Sequence, residues 1–255
     1  MSEQIRKIDG ETAAVNTPEK NPEKKKKKAK KYEITVKANK KGRHVMHFLN
    51  FFRVLVIPIY YLLKPFRFYG PKKVKDGPCV YVCNHYGMFD PIFPAVTTSE
   101  GIHFIAKKEL FSKPVVSWAI RKIKGIAANR DGNDVRVVMD SFKCLKNGEK
   151  IAIFPEGTRN KTGVDMLPFH HGAAIISIKT KAPIVPIMIY KKPRFFRMTH
   201  VLIGEPFELT EYYDRKLTEQ EMLDADEKIR QIMLNMRAKH REWLDNKKKK
   251  KGKNA

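Results

Sequence analysis

The sequence predicts a single α/β domain built on a mixed, partly parallel sheet flanked by helices. Three observations lead there. At 255 residues the chain has room for one well-buried core plus terminal extensions. From residue 79 onward, short apolar runs of strand length alternate with segments of helical periodicity. The residues with the most chemical character follow directly after those runs, where parallel sheets keep their chemistry.

The strand candidates are residues 79–83, 103–106, 125–128, 151–154, 184–190 and 200–203. Residues 134–147 read as a helix, with Val135, Val138, Met139, Phe142 and Leu145 on one face and Gly148 placed to end it. The last helix opens at a capping box formed by Thr218 and Glu221. It carries Met222, Ala225, Ile229, Ile232, Met233 and Met236 at helical spacing, a stripe suited to core packing.

A net charge of +25 sits on a chain whose apolar content, 42%, is ordinary for a globular interior, so the excess belongs to the surface. Such a field attracts polyanions, either anionic headgroups or nucleic acid. Much of it lies in two lysine runs, 24–31 and 247–253, which read as solvated, disordered tails able to touch an anionic leaflet. The lysine runs lack interleaved aromatics and no nucleic-acid motif appears, so a specific nucleic-acid partner is not expected. Cys79, Cys83 and Cys144 are odd in number and lack CxxC spacing, which argues against a disulfide framework and a zinc site. Residues 1–31 contain no apolar run of the kind a cleavable secretory signal needs.

The longest apolar stretch, 45–63, is about the length of a bilayer span, but Arg53 lies near its middle, where a charge is costly. We therefore expect a helix lying in one leaflet, flanked by Lys40, Lys41, Arg43, Lys64 and Arg67, the alternative being a core helix. The expected organisation is a flexible basic leader (1–42), a membrane-associating segment (43–68), the α/β domain (69–245) and a basic tail (246–255).

Two blocks carry most of the chemistry. In Asn84-His-Tyr-Gly-Met-Phe-Asp90, the strand ends just before His85, and Asp90 precedes Pro91 where a helix N-cap belongs. On a continuous helix the two side chains would point about 140° apart, but a strand–turn–helix can bring them together. A histidine held by a carboxylate can take a proton from an alcohol near neutral pH. Taken alone, the spacing better fits a capping aspartate beside a loop histidine. In Phe154-Pro-Glu-Gly-Thr-Arg-Asn160, Gly157 permits close backbone approach, Thr158 offers a hydroxyl, and Arg159 presents a planar fork suited to phosphate. Arg130, which also ends an apolar run, and Lys107 are further cations for the same anion.

Taken in order, NHYGMFD, GIAANR, FPEGTRN and APIVPIMIY resemble the glycerolipid acyltransferase family, which includes bacterial 1-acylglycerol-3-phosphate acyltransferases; the likeness covers roughly residues 78–190. The resemblance implies that His85 is the base and Asp90 its orienting partner. It assigns Lys107, Arg130 and Arg159 to the acceptor phosphate, with Glu156, Gly157 and Thr158 shaping the pocket. It implies transfer of a fatty acyl group from acyl-CoA or acyl-acyl-carrier protein to the sn-2 hydroxyl of lysophosphatidic acid, giving phosphatidic acid. No cofactor or metal is expected, anionic membrane lipids are expected partners, and the expected location is the cytoplasmic side of the cell membrane, peripheral or monotopic. Glycerol-3-phosphate or another lysophospholipid is the alternative acceptor, and a non-enzymatic basic binding protein the alternative of another class. Two departures stand out: GIAANR is poorer in bulky aliphatics than the family's arginine block, and His170 and His171 stand where lysine or arginine is frequent.

Overall fold

In the computed structural model, which describes residues 47–71, 77–98, 101–122, 125–128, 135–170 and 172–253, the described residues form six α-helices and seven strands. They are α1 (His47–Leu63), β1 (Phe66–Tyr69), β2 (Val80–Cys83), α2 (Ile92–Val96), β3 (Ile102–Lys107), α3 (Pro114–Lys122), β4 (Ile126–Ala128), α4 (Val135–Lys146), β5 (Lys150–Ile153), α5 (Gly172–Thr180), β6 (Ile184–Ile189), β7 (Thr199–Ile203) and α6 (Glu219–Lys253). All lie within one compact unit, residues 34–255.

Every residue of β2, β5 and β6 is buried, as expected of strands covered on both faces. The sheet order is β1-β7-β6-β2-β5-β3-β4. From β6 to β4 all neighbours are parallel, whereas β7 runs antiparallel to β6 and β1 runs parallel to β7. The carboxyl ends of β2, β3, β4, β5 and β6 therefore share one edge. Residues 84–90 and 154–160 follow from that edge, and Lys107 ends β3 there, in register with Ala128 of β4.

Alternation along the strands sorts the core into two layers. Val80 and Val82 join Ile151, Ile153 and Met188 against Ala173 and Ile176 of α5 and Ala225, Ile229 and Met233 of α6. Tyr81 and Cys83 join Phe104, Ala152 and Ile187 on the other face, against Ile92 and Phe93 of α2 and Tyr60 of α1.

All six expected strands form. β1 is not among the expected strands: residues 66–68 fall in the expected membrane-associating segment, and Tyr69 only opens the expected α/β domain. Its four residues are partly or fully exposed at the sheet edge, with Arg67 facing outward between two phenylalanines, so the apolar signal of a buried strand is missing. The C-terminal lysine run differs as well. Instead of a disordered tail, α6 continues to Lys253, with Lys247 over the Trp243 ring at 5.0 Å and Lys248 3.9 Å from Asp245. Lysine is a good helix former, and a well-packed helix can extend through it. The capping box forms in both directions, Thr218 N to Glu221 Oε2 at 2.8 Å and Glu221 N to Thr218 Oγ1 at 3.2 Å. Gly148 ends α4 at φ +82°, a conformation other residues rarely adopt.

The basic leader, 1–42, lies outside the described residues. The apolar stretch after it forms α1, and no helix among the described residues is long and apolar enough to cross a membrane. Arg53 does not face the outer, apolar side. Its Nε donates to Ala95 O at 2.9 Å and its Nη2 to Thr98 O at 2.5 Å, so the charge binds the carbonyl end of α2. Ile57 and Tyr60 pack inward beside it, while Val54, Leu55, Ile59 and Leu62 are exposed.

At the far side, His200 of β7 and His240 of α6 share a hydrogen between Nδ1 and Nε2, 2.7 Å apart, among Tyr69, Tyr190 and Trp243. Burial lowers both rings below the ordinary value of 6.5. His240, facing His200, falls to about 4, while Arg67 and Lys247 add to the lowering of His200. The folded state therefore holds fewer protons than the unfolded state between these values, and the stability present above pH 6.5 is lost as pH falls toward 4. The melting temperature should drop over that window, and a His240→Gln variant, which keeps a donor to His200, should lose a visibly smaller part of it in parallel thermal melts.

Candidate active site

β2 leaves the sheet at Asn84, whose side chain takes the place of one more strand residue. Ile189 N donates to its Oδ1 at 2.7 Å and its Nδ2 donates to Ile189 O at 3.1 Å. The backbone can therefore turn while pairing with β6 continues. The turn brings His85 onto Asp90. One buried carboxylate oxygen, Oδ2, accepts from His85 Nδ1 at 2.9 Å, from Tyr86 N at 2.5 Å and from Gly87 N at 2.7 Å. With this oxygen as acceptor the histidine hydrogen lies on Nδ1, which leaves Nε2 with a lone pair. The charge is felt nearby: the Tyr60 phenol is pushed up to about 12, first by burial and then by Asp90.

Asp90 is not the helix cap that the sequence suggested. α2 starts at Ile92 after Pro91, with no side-chain cap bond, because the amides of Ile92 and Phe93 already reach the carbonyls of Phe89 and Asp90 at 3.0 Å. The carboxylate turns backward instead. The amides of Tyr86 and Gly87 are thereby engaged and are not free to bind an oxyanion.

The block after β5 holds the same turn from below. Glu156, 1% exposed, accepts His85 N on Oε1 at 2.8 Å and Leu167 N on Oε2 at 2.9 Å. Asn160 N donates to His85 O at 2.6 Å, so both backbone polar groups of His85 belong to this loop. Burial raises the Glu156 carboxyl above its ordinary value, and the two amides partly counter this. The Phe154 ring lies against the imidazole, centroids 4.6 Å apart. At Gly157, φ is +58° and an added Cβ would stand 2.8 Å from the His170 ring, so this position excludes larger side chains on two counts.

Of the expected site residues, His85 and Asp90 meet directly. Glu156 and Gly157 shape the loop from behind, since the Glu156 oxygens are occupied by backbone. Thr158 and Arg159 are exposed, and Lys107 is half-buried at the end of β3. Arg130 and His171 lie outside the described residues; His170 is exposed against Gly157.

Some positioning residues gave little sign in the sequence. Tyr86 donates its hydroxyl to Asp165 O at 3.1 Å, Arg237 of α6 pairs with the Asp165 carboxylate, and Arg230 donates to Met166 O at 3.1 Å and Leu167 O at 3.2 Å. Helix α6 thus clamps the segment on which Glu156 leans. Such contacts between distant segments leave no local pattern. Asn84 was visible only as the first letter of its block. Among the described residues one cluster has metal-ligand types within reach, His103, Cys144 and Glu149, with ligand atoms within 4.8 Å of one another. It lies at the amino ends of β3 and β5, opposite the edge that carries His85, and its His103–Glu149 contact of 2.9 Å is a hydrogen bond in its own right.

The sequence profile described as Acyltransferase matches residues 65–190, a span that contains all four blocks. The 1-acyl-sn-glycerol-3-phosphate acyltransferase of Bacillus subtilis is 31% identical over 147 residues, covering 54% of this chain and 70% of that protein. The chain belongs to the acyltransferase family. Other family members are matched over less of their length. The chloroplastic 1-acyl-sn-glycerol-3-phosphate acyltransferase BAT2 of Brassica napus is 38% identical over 118 residues, 45% of this chain and 33% of that one. The human 1-acyl-sn-glycerol-3-phosphate acyltransferase beta is 31% identical over 135 residues, 51% of this chain and 48% of that one. The chain thus spans a third to a half of these longer relatives. The acyltransferase fold itself is shared with the crystal structure of the 1-acyl-sn-glycerophosphate (LPA) acyltransferase PlsC from Thermotoga maritima, with a TM-score of 0.57, 24% identity, and coverage of 77% of this chain and 80% of that one.

Removing the Glu156 carboxylate leaves the amides of His85 and Leu167 without their acceptor. Glu156→Ala should lower the free energy of unfolding by ~2–5 kcal/mol, from the loss of two such partners, as measured in urea.

Proposed function

We propose that this acyltransferase moves a fatty acyl group from acyl-CoA or acyl-acyl-carrier protein to the sn-2 hydroxyl of 1-acyl-sn-glycerol-3-phosphate, giving phosphatidic acid, at the cytoplasmic face of a membrane. The observation that carries this is the His85 Nδ1–Asp90 Oδ2 contact of 2.9 Å, at the sheet edge where Lys107 and Arg159 also stand. The acceptor follows from the names borne by the relatives, all 1-acyl-sn-glycerol-3-phosphate acyltransferases.

The chemistry needs no enzyme nucleophile. With the acceptor held by its phosphate, Nε2 of His85 takes the hydroxyl proton as the oxygen attacks the thioester carbonyl. The imidazolium so formed is stabilised by Asp90, as in the histidine–carboxylate half of a hydrolase triad. Collapse of the tetrahedral intermediate breaks the carbon–sulfur bond, and the proton on Nε2 passes to the departing thiolate. The phosphate is assigned to Arg159, Lys107 and Arg130, with Thr158 as a neighbouring donor. Holding the two reactants in near-attack geometry is worth up to ~7–11 kcal/mol in well-oriented systems.

The exposed apolar side of α1 supports attachment to one leaflet. With its charge turned inward on α2, the helix offers lipid a face of Val54, Leu55, Ile59 and Leu62. A two-chain product formed there can leave into the bilayer.

Thioester consumption by the purified protein, with acyl-CoA and acyl-acyl-carrier protein as donors, tests the assignment against lysophosphatidate, glycerol-3-phosphate and other lysophospholipids. Lysophosphatidate should be the preferred acceptor, and preference for another would replace it. His85→Ala should reduce kcat by ~10²–10⁴-fold, the usual contribution of a general base, and turnover within a few-fold of wild type would remove His85 from that role. Arg159→Ala should raise the KM for lysophosphatidate by ~10–100-fold, the worth of a charge-assisted hydrogen bond, with little effect on that of the thioester.

A further inference from the structure

The connection between β6 and β7, residues 190–198, has no part in the proton transfer, yet it leaves the sheet at the edge that carries His85. Ile189, its last strand residue, is the one that pairs with the Asn84 side chain. The connection exposes three large apolar side chains in four positions, Phe195 at 61%, Phe196 at 73% and Met198 at 47%. Phe196 has φ +54°, a conformation that bulky residues avoid, so the backbone is strained while both rings project into solvent.

The connection is joined to α1. Phe196 N donates to Leu63 O at 2.8 Å, the last residue of that helix, and Lys64 lies over the Phe195 ring at 4.5 Å. The exposed face of α1 and the tip of the connection thus adjoin, and large contiguous apolar surfaces mark interaction sites. Charge selects the partner. Residues 53–68 and 189–204 contain seven lysines and arginines and no aspartate or glutamate. Lys191, Lys192, Arg194 and Arg197 are all exposed beside the phenylalanines. Aromatic side chains ringed by cations, with no acidic group, fit the interface of an anionic bilayer.

We propose that residues 191–198 form a second membrane contact, in which Phe195, Phe196 and Met198 enter the apolar layer and Lys191, Lys192, Arg194 and Arg197 bind anionic headgroups. This deepens the membrane attachment proposed for α1 and rests on it. Two adjoining contacts also fix orientation: they set the carboxyl edge of the sheet, with its catalytic turn, toward the leaflet that holds the acceptor.

The test uses the full chain and vesicles of phosphatidylcholine, alone or mixed with phosphatidylglycerol. Phe195→Ser/Phe196→Ser should lower the partition coefficient on mixed vesicles by about tenfold or more, as expected for loss of two inserted aromatics. Arg194→Glu/Arg197→Glu should weaken binding to mixed vesicles strongly and to pure phosphatidylcholine little. Phe196→Trp should gain fluorescence quenching by brominated lipid over the wild-type background, a readout that needs no loss of function. Wild-type partitioning of the serine variant, or absence of added quenching in Phe196→Trp, overturns the proposal. So does a serine variant that loses thermal stability, or activity toward a short-chain lysophosphatidate dissolved as monomer, in step with binding, because the connection would then be a structural support. If no acceptor is acylated while binding still depends on the connection, the membrane contact stands and the enzymatic reading falls.

Discussion

The buried carboxylate of Glu156 accepts the amide of His85 with one oxygen and the amide of Leu167 with the other. A turn 71 residues before Glu156 and a stretch 11 residues after it meet the Glu156 segment at this group. A carboxylate taken out of water is costly unless hydrogen-bonded, so the arrangement is stable only when all three segments are in place. Asp90 performs the complementary task on the other side of the same residue. Glu156 holds the backbone of His85 while Asp90 holds its ring, and the imidazole is left with one unengaged nitrogen. The two carboxylates therefore divide the work of positioning, and neither needs to touch a substrate.

The parallel run from β6 to β4 makes this possible. Strands that all end on one edge deliver their following loops to the same place, so blocks separated by some seventy residues become neighbours. The antiparallel entry of β7 and β1 brings the end of α1 and the connection after β6 to that edge as well. Chemistry and apolar surface are thus placed by one topological choice. Arg53 shows how the surface is kept apolar: the charge that made a spanning helix implausible is absorbed by the carbonyls at the end of α2.

Most of the architecture was legible because buried strands advertise themselves as short apolar runs, and each of the six such runs became a strand. Edge strand β1 escaped because its residues are wetted on one side and follow an apolar helix that masked them. The lysine-rich end was misread as disordered because composition carries no record of the packed helix that precedes it. At the site, the strand–turn–helix pattern only allowed the pairing of His85 with Asp90, which the order of the four blocks then singled out, whereas the backward turn of the Asp90 carboxylate was not readable. That depends on whether the first helical amides find carbonyls, which spacing does not reveal. The clamp of Arg230 and Arg237 on residues 165–167 joins segments more than sixty residues apart and has no local signature. Lys107 and Arg159 stood out only as cations among fifty-two lysines and arginines, and the order of the blocks, not their charge, singled them out.

Asn84 has a consequence for how such a turn can vary. Its amide reproduces the donor and acceptor of a peptide group, so the hydrogen-bond ladder outlasts the backbone that began it by one residue. The point where pairing stops is separated from the point where the chain departs. Loop length after β2 can therefore change without shortening the sheet, and residue 84 becomes a splice between a rigid scaffold and an adjustable reactive segment. A leucine of equal size would fill the space yet sever the splice, and an aspartate would keep the acceptor while turning the donor into a second acceptor facing the Ile189 carbonyl.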